Sequence, residues 1–195
     1  MAKAKKRRSK PKPKIIANMG VFWHRDKARW VGSRSQPRGI LGVRAGAKRY
    51  GPVDFWNQVG IYCLYADLDL VYVGQAGLSD KSCIGDRLKS HTKDDTADRW
   101  DKFSWFGLCK VKQNGTLGAR FEKAKATWSD VADVLEGILI EVAEPPENSQ
   151  KGRFGPGVHR YIQVPCELLQ NNTAFMIERM AKDLAGIKKR LEKTK

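Results

Sequence analysis

The stretch from Gly60 to Gly74, GIYCLYADLDLVYVG, constrains the fold more than any other part of the chain. Ile61, Cys63 and Tyr65 alternate with Tyr62 and Leu64, and LVYVG repeats the alternation after Ala66-Asp67-Leu68-Asp69. The pattern predicts the two strands of a hairpin. Residues paired across a hairpin share a face, so the loop length decides whether Tyr62 and Tyr72 meet. A three-residue loop at 67–69 pairs Leu64 with Tyr72 and sets Tyr62 on the diagonal, ~7 to 8 Å away and within aromatic reach. A two-residue loop would place the tyrosines on opposite faces.

The elements that follow extend this hairpin into a mixed α and β unit. SDKSCIGDRLKSHTKDD carries Ile84 and Leu88 as a short apolar stripe behind a Ser82 cap, which predicts a helix of two to three turns. Arg87 and His91, four residues apart, fall on one face of it. DRWDKFSWFGLCKV predicts a third strand from about Lys102 to Val111, and residues 112–126 are a polar excursion. Thr127-x-x-Asp130 has the form of a capping box and opens the strongest helix, which Pro145-Pro146 should stop. Val131, Leu135, Ile138 and Val142 form its expected buried face, widened by Val134, Leu139 and Ile140. Glu136 lies inside this apolar run, where a carboxylate needs an arginine, a solvent window or a divalent metal. Near the C-terminus, Ile177, Met180, Leu184, Ile187 and Leu191 recur at spacings of three and four, predicting an amphipathic helix that packs on the domain.

Charge divides the chain differently. Of the 37 Lys and Arg and 21 Asp and Glu, residues 1–50 hold 16 basic groups and one acid, and residues 51–195 hold 21 and 20. The formal charge of +16 is thus mostly N-terminal. Residues 1–14 have too little apolar surface to offset their ordering entropy and are expected to stay disordered until they meet a polyanion, with Lys5, Lys6, Arg7 and Arg8 as phosphate contacts. Residues 15–57 read as a basic arm rich in Trp, Arg and Gly, made of loops and one or two short strands. In it Arg34, Arg38, Arg44, Lys48 and Arg49 could follow a nucleic-acid groove, while Trp23, Trp30 and Trp56 either pack there or cover a sheet edge. A core at 58–165 and a C-terminal helix at 166–195 complete the expected organisation. Cys63, Cys83, Cys109 and Cys166 form no C-x-x-C pair, so reduced core thiols are expected instead of zinc, and any metal should be held by oxygen. The first 20 residues lack the apolar block of a secretory signal, and no run approaches the ~18 apolar residues of a membrane span, so a soluble cytoplasmic protein is expected.

Five ordered motifs tie these elements together: Gly60-Ile61-Tyr62, Tyr72-Val73-Gly74, Arg87 on the first helix, Glu136 on the second and Asn148 after it. In order, element type and spacing the set resembles the GIY-YIG nuclease superfamily over about residues 59–150, with valine in place of the usual isoleucine. His91, one turn beyond Arg87, is similar to the restriction-endonuclease branch. The resemblance implies an α/β (α+β) core, a small three-stranded, mostly antiparallel sheet flanked by helices. It implies a DNA endonuclease that hydrolyses phosphodiesters with one Mg²⁺, for which Mn²⁺ can substitute, held by Glu136. In this scheme Arg87 binds a nonbridging phosphate oxygen, and Tyr62 is the general base. Tyr72 contacts the phosphate or the water, and Asn148 orients the network. A phenol with an ordinary pKa of ~10 is a poor base at neutral pH, so Arg87, Mg²⁺ or a relaying His91 would have to favour phenolate. Lys89 adds a phosphate contact or belongs to a solvated helix face. His24 and His159 match no motif. Double-stranded DNA is the implied partner, and cutting both strands with one site per chain favours a homodimer. Restriction or anti-phage defence is the expected setting. Repair, recombination or mobile-element nucleases, a non-catalytic nucleic-acid-binding protein on the same scaffold, and a basic RNA-binding factor are the alternatives.

Overall fold

The computed structural model describes residues 15–34, 36–46, 51–77, 81–119, 127–144, 151–152, 154 and 157–166. Its strands are β1 (Asn18–His24), β2 (Leu41–Arg44), β3 (Val53–Asp54), β4 (Gly60–Ala66), β5 (Asp69–Ala76), β6 (Lys102–Gly107) and β7 (His159–Val164). Among the described residues two α-helices accompany them, α1 (Ile84–His91) and α2 (Trp128–Ala143). The expected C-terminal helix, Pro145-Pro146 and the basic tail lie outside the described residues.

The expectation of a small three-stranded sheet is overturned. The strands form one seven-stranded mixed sheet in the order β3-β2-β7-β1-β6-β4-β5, and only β1 and β7 pair in parallel. The expected trio is present as β6-β4-β5 at one end. The free edge of β6 then needs partners for its backbone groups, and β1 supplies them across the register from Asn18↔Gly107 to His24↔Lys102. Residues 15–57, read as an arm, therefore contribute three strands to the sheet. Trp23 is buried from β1, and its indole N–H donates to the Tyr161 carbonyl on β7. Trp23 and Trp56 thus belong to the core, and Trp30 packs against it.

The hairpin reaches its expected register by an unexpected route. Ala66 pairs with Asp69, so the turn is the two residues Asp67-Leu68, the length that would separate the tyrosines. A register shift beyond Tyr65↔Leu70 inserts Val71 as an extra residue and restores Leu64↔Tyr72. The turn is held from outside: Asp67 has φ 53°, and its N–H donates to Asp101 Oδ1 at 2.6 Å.

Strand alternation then gives the sheet two different faces. Tyr62, Leu64, Phe103 and Trp105 point to one side, where Ile84 and Leu88 of α1 complete the larger core. Cys63, Tyr65 and Phe106 point to the other, where Val134 and Val142 of α2 cover them. α1 begins behind Cys83, not Ser82, and its cap makes no side-chain hydrogen bond. α2 begins as expected, with Thr127 and Asp130 bonding reciprocally. Its buried side differs from the expected one: Gly137 and Glu141 face inward, while Leu135 and Leu139 are exposed. Close approach explains the rotation, because a Cβ on Gly152 would overlap the Gly137 backbone and no larger residue fits that contact.

Gly60 opens β4 with φ 148°, between β5 and β6, and a Cβ there would run into the Phe106 carbonyl of β6. Gly60→Ala is expected to destabilise the fold by ~1–3 kcal/mol through this overlap and the strained backbone, read by chemical denaturation. Unchanged stability would show that β4 and β6 do not approach this closely.

Candidate active site

β4, β5 and α1 bring four of the expected residues to one place. Tyr62 has no exposed surface, and its hydroxyl lies 2.9 Å from His91 Nε2. A buried phenol without a partner would cost ~1–3 kcal/mol, so this contact is structural as well as chemical. Arg87, one turn before His91, lies beside the same phenol, and its charge favours the ionised form. Tyr72 stacks on Tyr62 with ring centroids 6.0 Å apart and an interplanar angle of 25°, and its ring lies 4.6 Å from that of His91. Tyr62 and His91 are buried, while Tyr72 and Arg87 are half-buried and form the outer layer of the cluster.

Gly74 makes this packing possible. It pairs directly with Tyr62 across the hairpin, and a Cβ on it would overlap the Tyr62 phenol. The glycine closing Tyr72-Val73-Gly74 therefore makes room for the chain's own tyrosine.

Burial dominates the electrostatics of the phenol. Loss of solvent pushes the Tyr62 hydroxyl up to about 12, and the Arg87 guanidinium opposes this without reversing it. The expectation that neighbours would favour phenolate is not met. Tyr62 is a neutral phenol at physiological pH, and any basic function requires it to hand its own proton to His91.

His91 makes a second contact that sequence reasoning missed. Its Nδ1 lies 2.8 Å from Asp94 Oδ2 and 3.2 Å from Thr96 Oγ1. Thr96 holds the carboxylate by donating to Asp94 Oδ1 from both its backbone N–H (2.9 Å) and its hydroxyl (2.6 Å). These hydrogen bonds, with His91 as a lesser contributor, keep the Asp94 carboxyl below its ordinary range. The Trp100 indole N–H donates to the His91 carbonyl and fixes the end of α1. The only sequence signal for Asp94 is a carboxylate three residues after the histidine, just past the helix.

The remaining expected residues are placed elsewhere. Glu136 is exposed on the outward side of α2, and α2 lies across the sheet from Tyr62. Of the three environments open to a carboxylate in that helix, Glu136 has the solvent. The arginine pairing occurs instead at Glu141, which is 7% exposed and lies 3.4 Å from Arg160 Nη1. Glu136 is not positioned to hold a Mg²⁺ ion at the tyrosines, and among the described residues no cluster of three or more His, Cys, Asp or Glu could hold a metal. The donors around Tyr62 do not fit the expected cation, which needs several hard oxygen ligands. Asn148, Lys5, Lys6, Arg7, Arg8, Lys48 and Arg49 lie outside the described residues. Arg34 is exposed, and Arg44 and Lys89 are half-buried. Arg38 stacks 4.7 Å over Trp56 and lies 3.5 Å from Asp86, an anchoring role at the start of α1. A cavity of about 550 Å³ lined by His24, Arg25, Asp26, Trp30, Trp100 and Asp101 contains none of the motif residues.

No protein-family model, no curated protein and no solved structure matches this chain. Among the described residues, no helix is long and apolar enough to cross a membrane.

The raised phenol has a consequence for stability. A group whose folded pKa lies above its unfolded value favours folding fully below the unfolded pKa, and that contribution is lost as pH rises through the folded one. For Tyr62 the window runs from 10.0 to about 12. The buried Cys63 and Cys83 thiols, each pushed from 9.0 to about 11 mainly by burial, act with the same sign in a lower window. Denaturation midpoints are expected to fall between pH 9 and 12, with a shallower fall in Tyr62→Phe above pH 10. A midpoint that holds or rises across this range would contradict the assignment.

Proposed function

We propose that the protein is a nucleic-acid phosphodiesterase, a DNA endonuclease in which Tyr62, Tyr72, Arg87 and His91 form the reactive cluster. The observation that carries this reading is the buried Tyr62 hydroxyl, bonded to His91 at 2.9 Å with the Arg87 guanidinium beside it. Each group suits one need of phosphodiester hydrolysis. Arg87 supplies a planar, permanently charged donor set for the nonbridging oxygens and the charge that accumulates on them. Once the phosphate draws the outer layer of Tyr72 and Arg87 aside and water reaches the phenol, Tyr62 takes the proton of the attacking water as its own proton passes to His91 Nε2. The water oxygen bonds to phosphorus, and the ester oxygen leaves with the electron pair of the broken bond and takes a proton from solvent. Tyr72, stacked at the outer edge of the pair, orients the phosphate or the water.

The uneven charge supports DNA as the substrate. Sixteen basic residues in the first 50 provide a sequence-independent, salt-sensitive hold on a phosphate backbone. A place in restriction or anti-phage defence, and action as a homodimer that cuts both strands, belong to this proposal through the resemblance of His91 and the motif set. One observation favours a second reading, a nucleic-acid-binding protein without catalysis: Glu136 lies across the sheet from the tyrosines.

Incubation of the protein with supercoiled plasmid and short duplexes, methylated and unmethylated, with Mg²⁺, Mn²⁺ or chelator, separates the two. Cleavage that falls by about 10²- to 10⁴-fold in Tyr62→Phe, His91→Ala and Arg87→Ala, with DNA binding largely kept, is expected of the enzyme. Binding with no cut product on any substrate would support the second reading and reject the first.

A further inference from the structure

The proton positions along Arg87, Tyr62, His91 and Asp94 can be assigned from the contacts alone. The Thr96 hydroxyl donates its one proton to Asp94 Oδ1, so toward His91 it offers only a lone pair. Asp94 is a carboxylate and accepts only. Both oxygens facing His91 Nδ1 are therefore acceptors, and Nδ1 must carry a hydrogen. In the neutral ring Nε2 is then unprotonated and accepts from the Tyr62 hydroxyl, and the Arg87 guanidinium beside that phenol can only donate. The protons of Tyr62 and His91 therefore point the same way, toward Asp94.

We infer that Asp94 is the positioning residue that fixes the direction of proton movement through Tyr62 and His91. This inference rests on the reading of that pair as the group that activates water. By holding Nδ1–H, Asp94 keeps the lone pair of Nε2 aimed at the phenol. When Nε2 takes the Tyr62 proton, the same carboxylate faces the imidazolium. The other ionisable groups packed on His91 are the phenols of Tyr62 and Tyr72, with Arg87 next to Tyr62. Of these, Asp94 alone bonds the far nitrogen of the ring.

The geometry makes Asp94→Asn a sharp test. Oδ1 already accepts two hydrogen bonds from Thr96, so the amide oxygen must stay there and the NH₂ group must replace Oδ2. That group donates to Nδ1 and forces the hydrogen onto Nε2, where it opposes the Tyr62 proton. The chain has three histidines, so the ring nitrogens of His91 can be assigned in a ¹⁵N-labelled protein by comparison with His91→Gln. The wild-type ring is expected to show a protonated Nδ1 and an unprotonated Nε2, and Asp94→Asn the reverse. Cleavage of plasmid DNA should fall by about 10²-fold or more in Asp94→Asn, with DNA affinity and thermal midpoint little changed. Asp94→Ala, which only removes the acceptor, should give a mixture of tautomers and a smaller loss. A wild-type ring protonated on Nε2, or an Asp94→Asn protein that keeps both the tautomer and the rate, would overturn the inference and leave the nuclease reading standing. A wild type that cuts nothing but shows the expected tautomers and their reversal would reject the nuclease reading and leave Asp94 as the residue that orients His91.

Discussion

The hydrogen bond between the buried Tyr62 phenol and His91 is the interaction on which this structure is organised. An enclosed hydroxyl is costly without a partner, and for Tyr62 the fold supplies His91. Several features that look unrelated follow from that requirement. Gly74 lacks a side chain because the phenol occupies its space. The extra residue in β5 keeps Tyr72 on the same face as Tyr62 despite a two-residue turn. α1 ends at His91, and the turn beyond it returns Asp94 and Thr96 to the outer nitrogen of the ring. Burial that keeps the phenol neutral also makes His91 indispensable to any chemistry the phenol performs.

The sheet is a partition as much as a scaffold. One face carries the tyrosines, α1 and most of the aromatic core, and the other carries α2. A carboxylate on α2 can meet an arginine of β7, as Glu141 does, or face solvent, as Glu136 does. Neither reaches the phenols through a layer of packed strands. The tyrosine–histidine cluster is therefore built from β4, β5 and the α1 end alone, a segment of about 35 residues in which local contacts suffice to hold the geometry.

That locality explains what could be read in advance. The hairpin, α1, β6 and the Thr127–Asp130 cap all write their signals within a few residues, and the tyrosines and Arg87 could be placed from them. The bulge at Val71 was illegible because turn length alone does not fix register, and the Asp67 turn is held by Asp101, 34 residues away. β7 was missed, and the sheet position of the short strands expected in the N-terminal segment was not legible, for the same reason at longer range: Trp23 finds its backbone partner 138 residues later, and short glycine-rich runs give no hint of which edge they complete. Glu136 was misread because an apolar helix does not reveal which side it turns inward. The Gly137–Gly152 contact that decides this joins residues on separate segments.

Whether the proposed nuclease uses a neutral phenol that works through histidine is decided by the pH dependence of single-turnover plasmid cleavage. If the Tyr62 proton moves to His91 as the water attacks, the rate should level off below the tyrosine range and stay flat to pH 10, because the phenol is held at about 12 by its burial. A rate that instead keeps climbing about tenfold per pH unit toward pH 10 and beyond would mean that a free phenolate is the base, and would contradict the account.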